Sequence, residues 1–257
     1  MSEQLSRSAE SQVSTESFDR DALFIELKSL TEDFGLTVSD ENLDRCLKHL
    51  YLVLQANKTL NLTRILDLHD ALVLHILDSL TFLPYLEESP SGAVLDMGTG
   101  GGFPGIPLAL ATERCFTLLD SVGKKVKAVS SFIDELGLSQ RCVATQERVE
   151  AFGAIHSCSF AVVTARAMAS LPVLVEYAAP ILMRDGHLIV SKGNPEDDEM
   201  ASGDAAAKIC GLSRITTSEF ELPYDLGHRT FLVYKKTSKP SIKLPRAVGT
   251  ARKTPLT

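Results

Sequence analysis

The sequence predicts an α/β protein with a Rossmann-like, doubly wound sheet of seven strands. The sheet is expected to be mostly parallel with an antiparallel last strand, and a helical N-terminal extension precedes it. Three observations support this prediction. Short apolar or β-branched segments recur after residue 93, helical segments separate most of them, and the last two have no helix between them. Residues 18–90, in contrast, show helical periodicity without strand signals.

Residues 1–17 are rich in Ser, Glu and Gln, and we expect them to be disordered because they have too few apolar side chains to form a core. The first helix is predicted from residue 19 onward, where leucines recur every three or four positions. Gly35 follows the last apolar residue of this pattern and is a plausible C-terminal cap.

Two more helices are expected in the extension. The second begins at Ser39 or Asp40, either of which can cap a helix, and continues as a stripe of leucines. The third covers residues 70–83 and is expected to stop near Pro84, because proline has no backbone N–H to donate.

Residues 91–236 form the predicted catalytic domain. Its expected strands are AVLDM (93–97), CFTLLD (115–120), CVATQ (142–146), FAVVTARA (160–167), GHLIVSKG (186–193), SRITTSEFEL (213–222) and RTFLVYKK (229–236). The helices expected between them are GIPLALAT (105–112), GKKVKAVSSFIDELG (123–137), LPVLVEYAAPIL (171–182) and EDDEMASGDAAAKIC (196–210). The last two strands are expected to pair as an antiparallel hairpin.

The composition is typical of a soluble globular enzyme, with 44% apolar and 23% charged residues. The five cysteines are odd in number and far apart, so neither a disulfide framework nor a zinc site is indicated. The N-terminus has no signal-peptide pattern, and no apolar run reaches about 18 residues. We therefore expect a cytoplasmic protein without a membrane or metal partner.

The net charge of −7 is unevenly distributed. From Lys235 to the end there are seven basic residues and no acidic ones, so the rest of the chain carries a net charge of −14. A basic tail, predicted over residues 237–257, either contacts phosphates of a nucleic acid or is only a solvated segment. We expect it to contribute to nucleic-acid affinity and not to the cofactor pocket, since every predicted pocket residue precedes Lys192.

The segment VLDMGTGGGFPGIPLAL contains two overlapping glycine patterns. Gly100, Gly102 and Gly105 form a dinucleotide-type G-x-G-x-x-G, whereas Asp96 with the glycines after it forms D-x-G-x-G-x-G, which resembles the nucleoside loop of S-adenosylmethionine (SAM) methyltransferases. An acid at the end of the first strand would repel a pyrophosphate but suits the ammonium group of a methionine moiety. Asp120, at the end of the next strand, can accept hydrogen bonds from ribose hydroxyls.

Other catalytic motifs are missing. The sequence has no G-x-S-x-G, no H-E-x-x-H, no P-loop and no tyrosine followed four residues later by lysine. The loop after the fourth strand, TARAMASL, also lacks the [DN]-P-P-[YFW] tetrad of enzymes that methylate exocyclic amines. Arg166 stands out in that loop, where it either positions a substrate or forms a structural ion pair.

Eight motifs follow one another along the chain in the order that is typical of one enzyme family. These are NKTLNLTRI, HILDSL, VLDMGTGGGFPGIPLAL, LLDSVGKKVKAVSSF, ERVEAF, VVTARAMASL, LIVSKG and LPRAVGTARKTPL. From about Leu43 to Leu256, the chain resembles the ribosomal RNA small subunit methyltransferase G family, also called the glucose-inhibited division protein B family. One departure is Ala161, where the family usually has an acid.

The resemblance implies a SAM-dependent enzyme that methylates N7 of a guanine in 16S rRNA, within naked rRNA or the small ribosomal subunit. Its implied SAM-site residues are Gly98, Phe103, Val149, Glu150 and Arg166, and our interpretation of the loop adds Asp96, Gly100, Gly102 and Asp120. Candidate substrate residues are Asn61, His75, Asp78, Ser79, Lys192 and Arg246.

Attack by guanine N7 needs no general base, so the catalytic residue stays unknown and Arg166 is the best candidate for positioning the substrate. Two alternatives remain at this point, an NAD(P)-dependent oxidoreductase and a non-catalytic RNA-binding module. The oligomeric state is not determined by the sequence, and a monomer is favoured.

Overall fold

The computed structural model describes residues 19–257 and confirms the α/β architecture. The expected disorder of residues 1–17 lies outside the described residues. Seven strands form one sheet in the order β3-β2-β1-β4-β5-β7-β6. Their bounds are β1 Val94–Met97, β2 Phe116–Asp120, β3 Cys142–Gln146, β4 Phe160–Arg166, β5 Leu182–Lys192, β6 Leu212–Glu221 and β7 His228–Lys236. Only β7 is antiparallel, and it pairs with both β5 and β6.

The helical extension consists of α1 (Arg20–Asp33), α2 (Asp40–Leu60), α3 (Leu68–Ala71), a π-helical segment (Leu72–Leu77), α4 (Asp78–Leu80) and α5 (Leu83–Glu87). Ser39 caps α2 by accepting a hydrogen bond from the amide of Asn42. Gly35 follows α1 with a φ of 65°, as its predicted role at the helix end requires.

The third predicted helix is wrong in its details. Residues 72–77 are π-helical, and the helix ends at Leu80 before a turn. Pro84 lies in the first turn of α5, where a missing N–H costs nothing, so it begins a helix instead of stopping one.

The helices around the sheet are α6 (Gly105–Ala111), α7 (Gly123–Glu135), α8 (Val149–Ile155), α9 (Leu171–Ala178), α10 (Asp197–Cys210) and α11 (Thr250–Lys253). The sequence did not predict α8 or α11. Both are short, and each has an apolar residue that is buried against the sheet domain, Phe152 in α8 and Ala251 in α11. Tertiary packing, more than intrinsic propensity, accounts for such short helices.

The core has two parts because successive side chains of a strand point to opposite faces of the sheet. On one face, Leu118, Val162 and Ile189 pack in one cluster with the leucines of α1, α2 and the π-helical segment. On the other face, Leu95 and Val163 pack with α8, α9 and α10. The helical extension therefore covers one face of the sheet and supplies much of that core.

Within residues 19–257, no helix is both long and apolar enough to span a bilayer. The same residues contain no cluster of three or more His, Cys, Asp or Glu side chains suited to a metal ion.

Candidate functional site

A pocket opens at the carboxyl edge of the sheet, where β1 lies between β2 and β4 in parallel register. Parallel strands bring their carboxyl ends to the same edge, and ligands of doubly wound folds bind there. Four predicted cofactor residues line this pocket, namely Gly98, Asp120, Val149 and Glu150. The sequence prediction missed the seven other lining residues, which are Leu119, Ser121, Glu147, Arg148, Met168, Tyr177 and Arg252.

Gly98 begins the loop after β1 and has a φ of 71°, a conformation that favours glycine. Its N–H donates to the carbonyl of Leu119 at 2.8 Å, which fixes the loop to β2. A Cβ atom at Gly98 would lie 3.0 Å from the side chain of Met168. A side chain at this position would therefore fill the space between β1 and the loop after β4.

Asp120 is held by two backbone amides. Its Oδ2 accepts from Gly100 N at 3.1 Å and its Oδ1 accepts from Val122 N at 2.8 Å. An ionised carboxylate offers about four lone-pair sites, so each oxygen keeps the capacity to accept another hydrogen bond. The pair of free sites at the pocket wall suits two neighbouring hydroxyls, such as those of a ribose.

Asp96 is fully buried beneath the loop. Its Oδ2 accepts from Gly105 N at 3.0 Å, at the start of α6, and its Oδ1 accepts from the Thr164 hydroxyl at 3.1 Å. Burial raises its pKa to about 6, while these hydrogen bonds act in the opposite direction. In this arrangement Asp96 joins β1, β4 and α6, and its predicted contact with a ligand ammonium stays a prediction.

Phe103, a predicted cofactor residue, is not among the residues that line the pocket and stacks with two histidine rings. The His75 ring is parallel to Phe103 at a centroid distance of 4.7 Å, and the His49 ring is tilted at 4.5 Å. Gly102 has a φ of 96°, and a Cβ there would lie 3.0 Å from His49 Nε2. The same Cβ would lie 2.7 Å from Ile106 of α6, so the packing of α6 and of the helical extension leaves no room for a side chain at Gly102.

Both histidines of this stack are held neutral by burial. The pKa of His49 is lowered to about 3, as is that of His75, where Arg166 contributes as well. His49 Nε2 donates to the carbonyl of Gly101 at 3.0 Å, and His75 Nε2 is 2.8 Å from the Thr63 hydroxyl. No sequence motif pointed to His49, which lies within the predicted leucine stripe of α2.

Arg166, at the end of β4, is bound to the helical extension. Its Nη1 donates to Asp78 Oδ2 at 2.8 Å and to the carbonyl of Leu74 in the π-helical segment at 2.8 Å. Its guanidinium carbon lies 5.7 Å from the centre of the Phe103 ring, within the range of a cation–π contact. Arg166 therefore forms a structural ion pair, one of the two roles expected for it from the sequence.

The remaining substrate candidates do not form one cluster. Ser79 is buried and donates to the carbonyl of His75, whereas Asn61 is exposed at the end of α2. Lys192 forms an ion pair with Glu199 at 2.6 Å, and Arg246 pairs with Glu176. A role of these residues in substrate binding stays a prediction.

Ala161 is 1% exposed and lies near the start of β4, at the opposite end of the strand from the pocket. An acid at this position would be buried in the core formed with the helical extension.

The expectation that the basic tail makes no contribution to the predicted cofactor pocket is wrong. Gly249 N donates to Glu150 Oε1 at 2.8 Å, and Arg252 lines the pocket. The sequence could not show this contact because 99 positions separate Gly249 from Glu150. Of the seven basic residues from Lys235 to the end, four have partners, namely Lys235 and Lys236 of β7 and Arg246 and Arg252 of the tail.

The comparisons with solved structures agree with the fold. The O-methyltransferase from Bacillus cereus, solved in complex with SAH, superposes with a TM-score of 0.56 at 15% identity. The match covers 85% of this chain and 100% of that protein.

Sequence comparisons cover the helical extension as well as the sheet. The ribosomal RNA small subunit methyltransferase G of Desulforamulus reducens is 34% identical over 91% of this chain and 98% of its own length. The protein of the same name from Synechococcus sp. strain RCC307 is 37% identical over 80% of this chain and 88% of its own. The model of the family described as rRNA small subunit methyltransferase G matches residues 42–225. The chain therefore belongs to the rRNA small subunit methyltransferase G family.

Proposed function

We propose that the protein transfers a methyl group from SAM to N7 of a guanine in 16S rRNA. Family membership and the methyltransferase fold support the coarser statement, a SAM-dependent rRNA methyltransferase. The observation that supports it most directly is the pocket between Gly98 and Asp120, at the carboxyl ends of β1 and β2.

The residues of the pocket fit the cofactor. Asp120 has two acceptor sites left for the ribose hydroxyls, and Val149 and Glu150 line the pocket next to it. Gly98 leaves open the space that a Cβ atom would occupy against Met168. When bound, SAM supplies an electrophilic methyl group on a sulfonium. The protein holds the nucleoside, excludes water and orients the nucleophile toward that methyl group.

The two carboxylates near Arg166 are already hydrogen-bonded to protein donors, which is consistent with a reaction that needs no general base. Asp78 and Asp96 each accept hydrogen bonds from protein donors on both oxygens. Guanine N7 carries a lone pair and no proton, so orientation of the nucleophile can supply most of the acceleration. Arg166 is held in a fixed position and would orient the base by a contact with guanine O6, which leaves N7 free.

The geometry of α6 argues against a dinucleotide. In a dinucleotide-binding fold, the pyrophosphate lies at the N-terminus of the helix after the glycine loop. Here the Asp96 carboxylate, beneath the loop, accepts the Gly105 N–H at that helix start, so this donor is not available to a pyrophosphate and a negative charge lies next to it. This contact favours SAM over NAD(P).

The test is incubation of the purified protein with labelled SAM and with 30S subunits or 16S rRNA that lack the modification. We expect label in 16S rRNA, and N7-methylguanine at one position when the RNA is cleaved at methylated guanines. Label on another atom of guanine would exclude N7 specificity. RNA binding without transfer would favour a non-catalytic module, and NADH binding without SAM binding would favour an oxidoreductase.

A further inference from the structure

The C-terminal segment from Leu244 onward is a packed part of the molecule. Arg246 forms a bidentate ion pair with Glu176 of α9, a carboxylate that is only 2% exposed, and also donates to the carbonyl of Thr254. Ala251, in α11, is 1% exposed in the core cluster that contains α9. These contacts hold α11 against α9 at the side of the pocket.

From this position the segment donates two hydrogen bonds to the pocket wall. Gly249 N donates to Glu150 Oε1 at 2.8 Å, and Glu150 is itself only 7% exposed. Arg252 Nη2 donates to the carbonyl of Met168 at 3.2 Å, in the loop after β4. Burial and the nearby Glu150 carboxylate raise the pKa of Tyr177, on α9, and Arg252 acts on it in the opposite direction.

We infer that the C-terminal segment is a wall of the cofactor pocket and that Arg252 is a cofactor-binding residue. This inference rests on the proposed function. Arg252 joins the loop after β4 to the side of the pocket formed by Val149 and Glu150. Asp120, the ribose-binding candidate, lines the same pocket. The segment therefore acts on the adenosine part, which SAM and S-adenosylhomocysteine share, and not on the sulfonium.

The experiment compares Arg252→Ala with Lys253→Ala in the full-length protein. Both residues are exposed cations in α11, but only Arg252 lines the pocket. Calorimetry should show SAM and S-adenosylhomocysteine binding at least about fivefold more weakly to Arg252→Ala, the loss expected for one hydrogen-bonding side chain. Lys253→Ala should bind both as the wild type does.

Thermal unfolding of the variants without ligand separates a local effect from loss of the fold. If Arg252→Ala melts earlier than the wild type, Arg252→Met, which keeps most of the packing but has no hydrogen-bond donor, is measured in its place. Unchanged affinity for both ligands, or a loss confined to SAM, would overturn the inference. A wild-type protein that binds neither ligand would instead overturn the proposed function.

Discussion

Asp78 and Arg166, 88 positions apart, form an ion pair with an Nη1–Oδ2 distance of 2.8 Å, and the Asp78 side chain is only 3% exposed. The second oxygen of Asp78 accepts from Arg229 Nε of β7 at 2.9 Å. One carboxylate therefore joins the helical extension to two strands of the sheet. It also fixes Arg166 beside the ring of Phe103.

We predict that Asp78→Asn lowers the free energy of unfolding by about 3 kcal/mol, because it leaves two largely buried guanidinium groups without their charged partner. Urea unfolding followed by circular dichroism measures this loss. Glu113→Gln removes an exposed carboxylate and should leave the midpoint unchanged. If the urea midpoint of Asp78→Asn equals that of the wild type, the ion pairs of Asp78 contribute no net stability.

The two glycines Gly98 and Gly137 form a matched pair for testing the pocket. Their φ values are 71° and 66°, but a Cβ at Gly98 meets Met168, whereas a Cβ at Gly137 meets nothing within 4 Å. Each substitution by alanine should cost about 1–2 kcal/mol of stability because of the left-handed backbone. Only Gly98→Ala should also weaken SAM binding in calorimetry, since its side chain enters the pocket wall. Equal SAM affinities of the two variants would contradict the assignment of the Gly98 loop.

His49 makes stability depend on pH. Its pKa is about 3 in the folded protein and about 6.5 in the unfolded chain, so the unfolded state binds more protons below pH 6.5. The stability linked to its neutral ring is therefore present above pH 6.5 and is lost as the pH falls toward 3. Asp96, whose folded pKa is raised, changes stability in the opposite direction over part of this range.

The measurement that isolates this effect compares the wild type with His49→Gln, in which the amide can still donate to the carbonyl of Gly101. Between pH 7 and pH 5, the free energy of unfolding should fall by about 2 kcal/mol less in the variant, the contribution of one such histidine. The same fall in both proteins would mean that His49 does not titrate in this way.

Two lysines of the basic tail remain available for contact with RNA. Lys239 and Lys243 are exposed and have no hydrogen-bond or ion-pair partner within residues 19–257, and both precede α11. Replacing both by glutamine should weaken RNA binding and make the logarithmic salt dependence of its affinity shallower by up to about 2. SAM affinity and melting temperature should not change.

Filter binding at several salt concentrations measures this slope. The control replaces Lys58 and Lys127, two exposed lysines of α2 and α7, by glutamine, which changes the net charge as much as the replacement of Lys239 and Lys243 does. If the control pair lowers the slope as much as the tail pair does, the change is caused by the net charge of the protein, and the two tail lysines do not contact RNA specifically.

The strand and helix order and the position of the glycine loop were predictable from the sequence because they depend on local signals. Alternating apolar segments predicted each of the seven strands, and the hairpin of the last two followed from the missing helix between them. Gly98 and Asp120 could be placed at one edge because parallel strands bring their carboxyl ends together.

Contacts between distant segments were decided only by the tertiary structure. A basic residue in a sequence carries no sign of its partner, so Arg246 and Arg252 looked like free charges of a tail, although the fold places them on Glu176 and at the pocket. Asp78 was likewise a substrate candidate in the sequence, and the fold makes it a buried link between two arginines. Ion pairs and pocket walls depend on which surfaces meet when the helical extension and the C-terminal segment pack on the sheet, and local periodicity does not encode that.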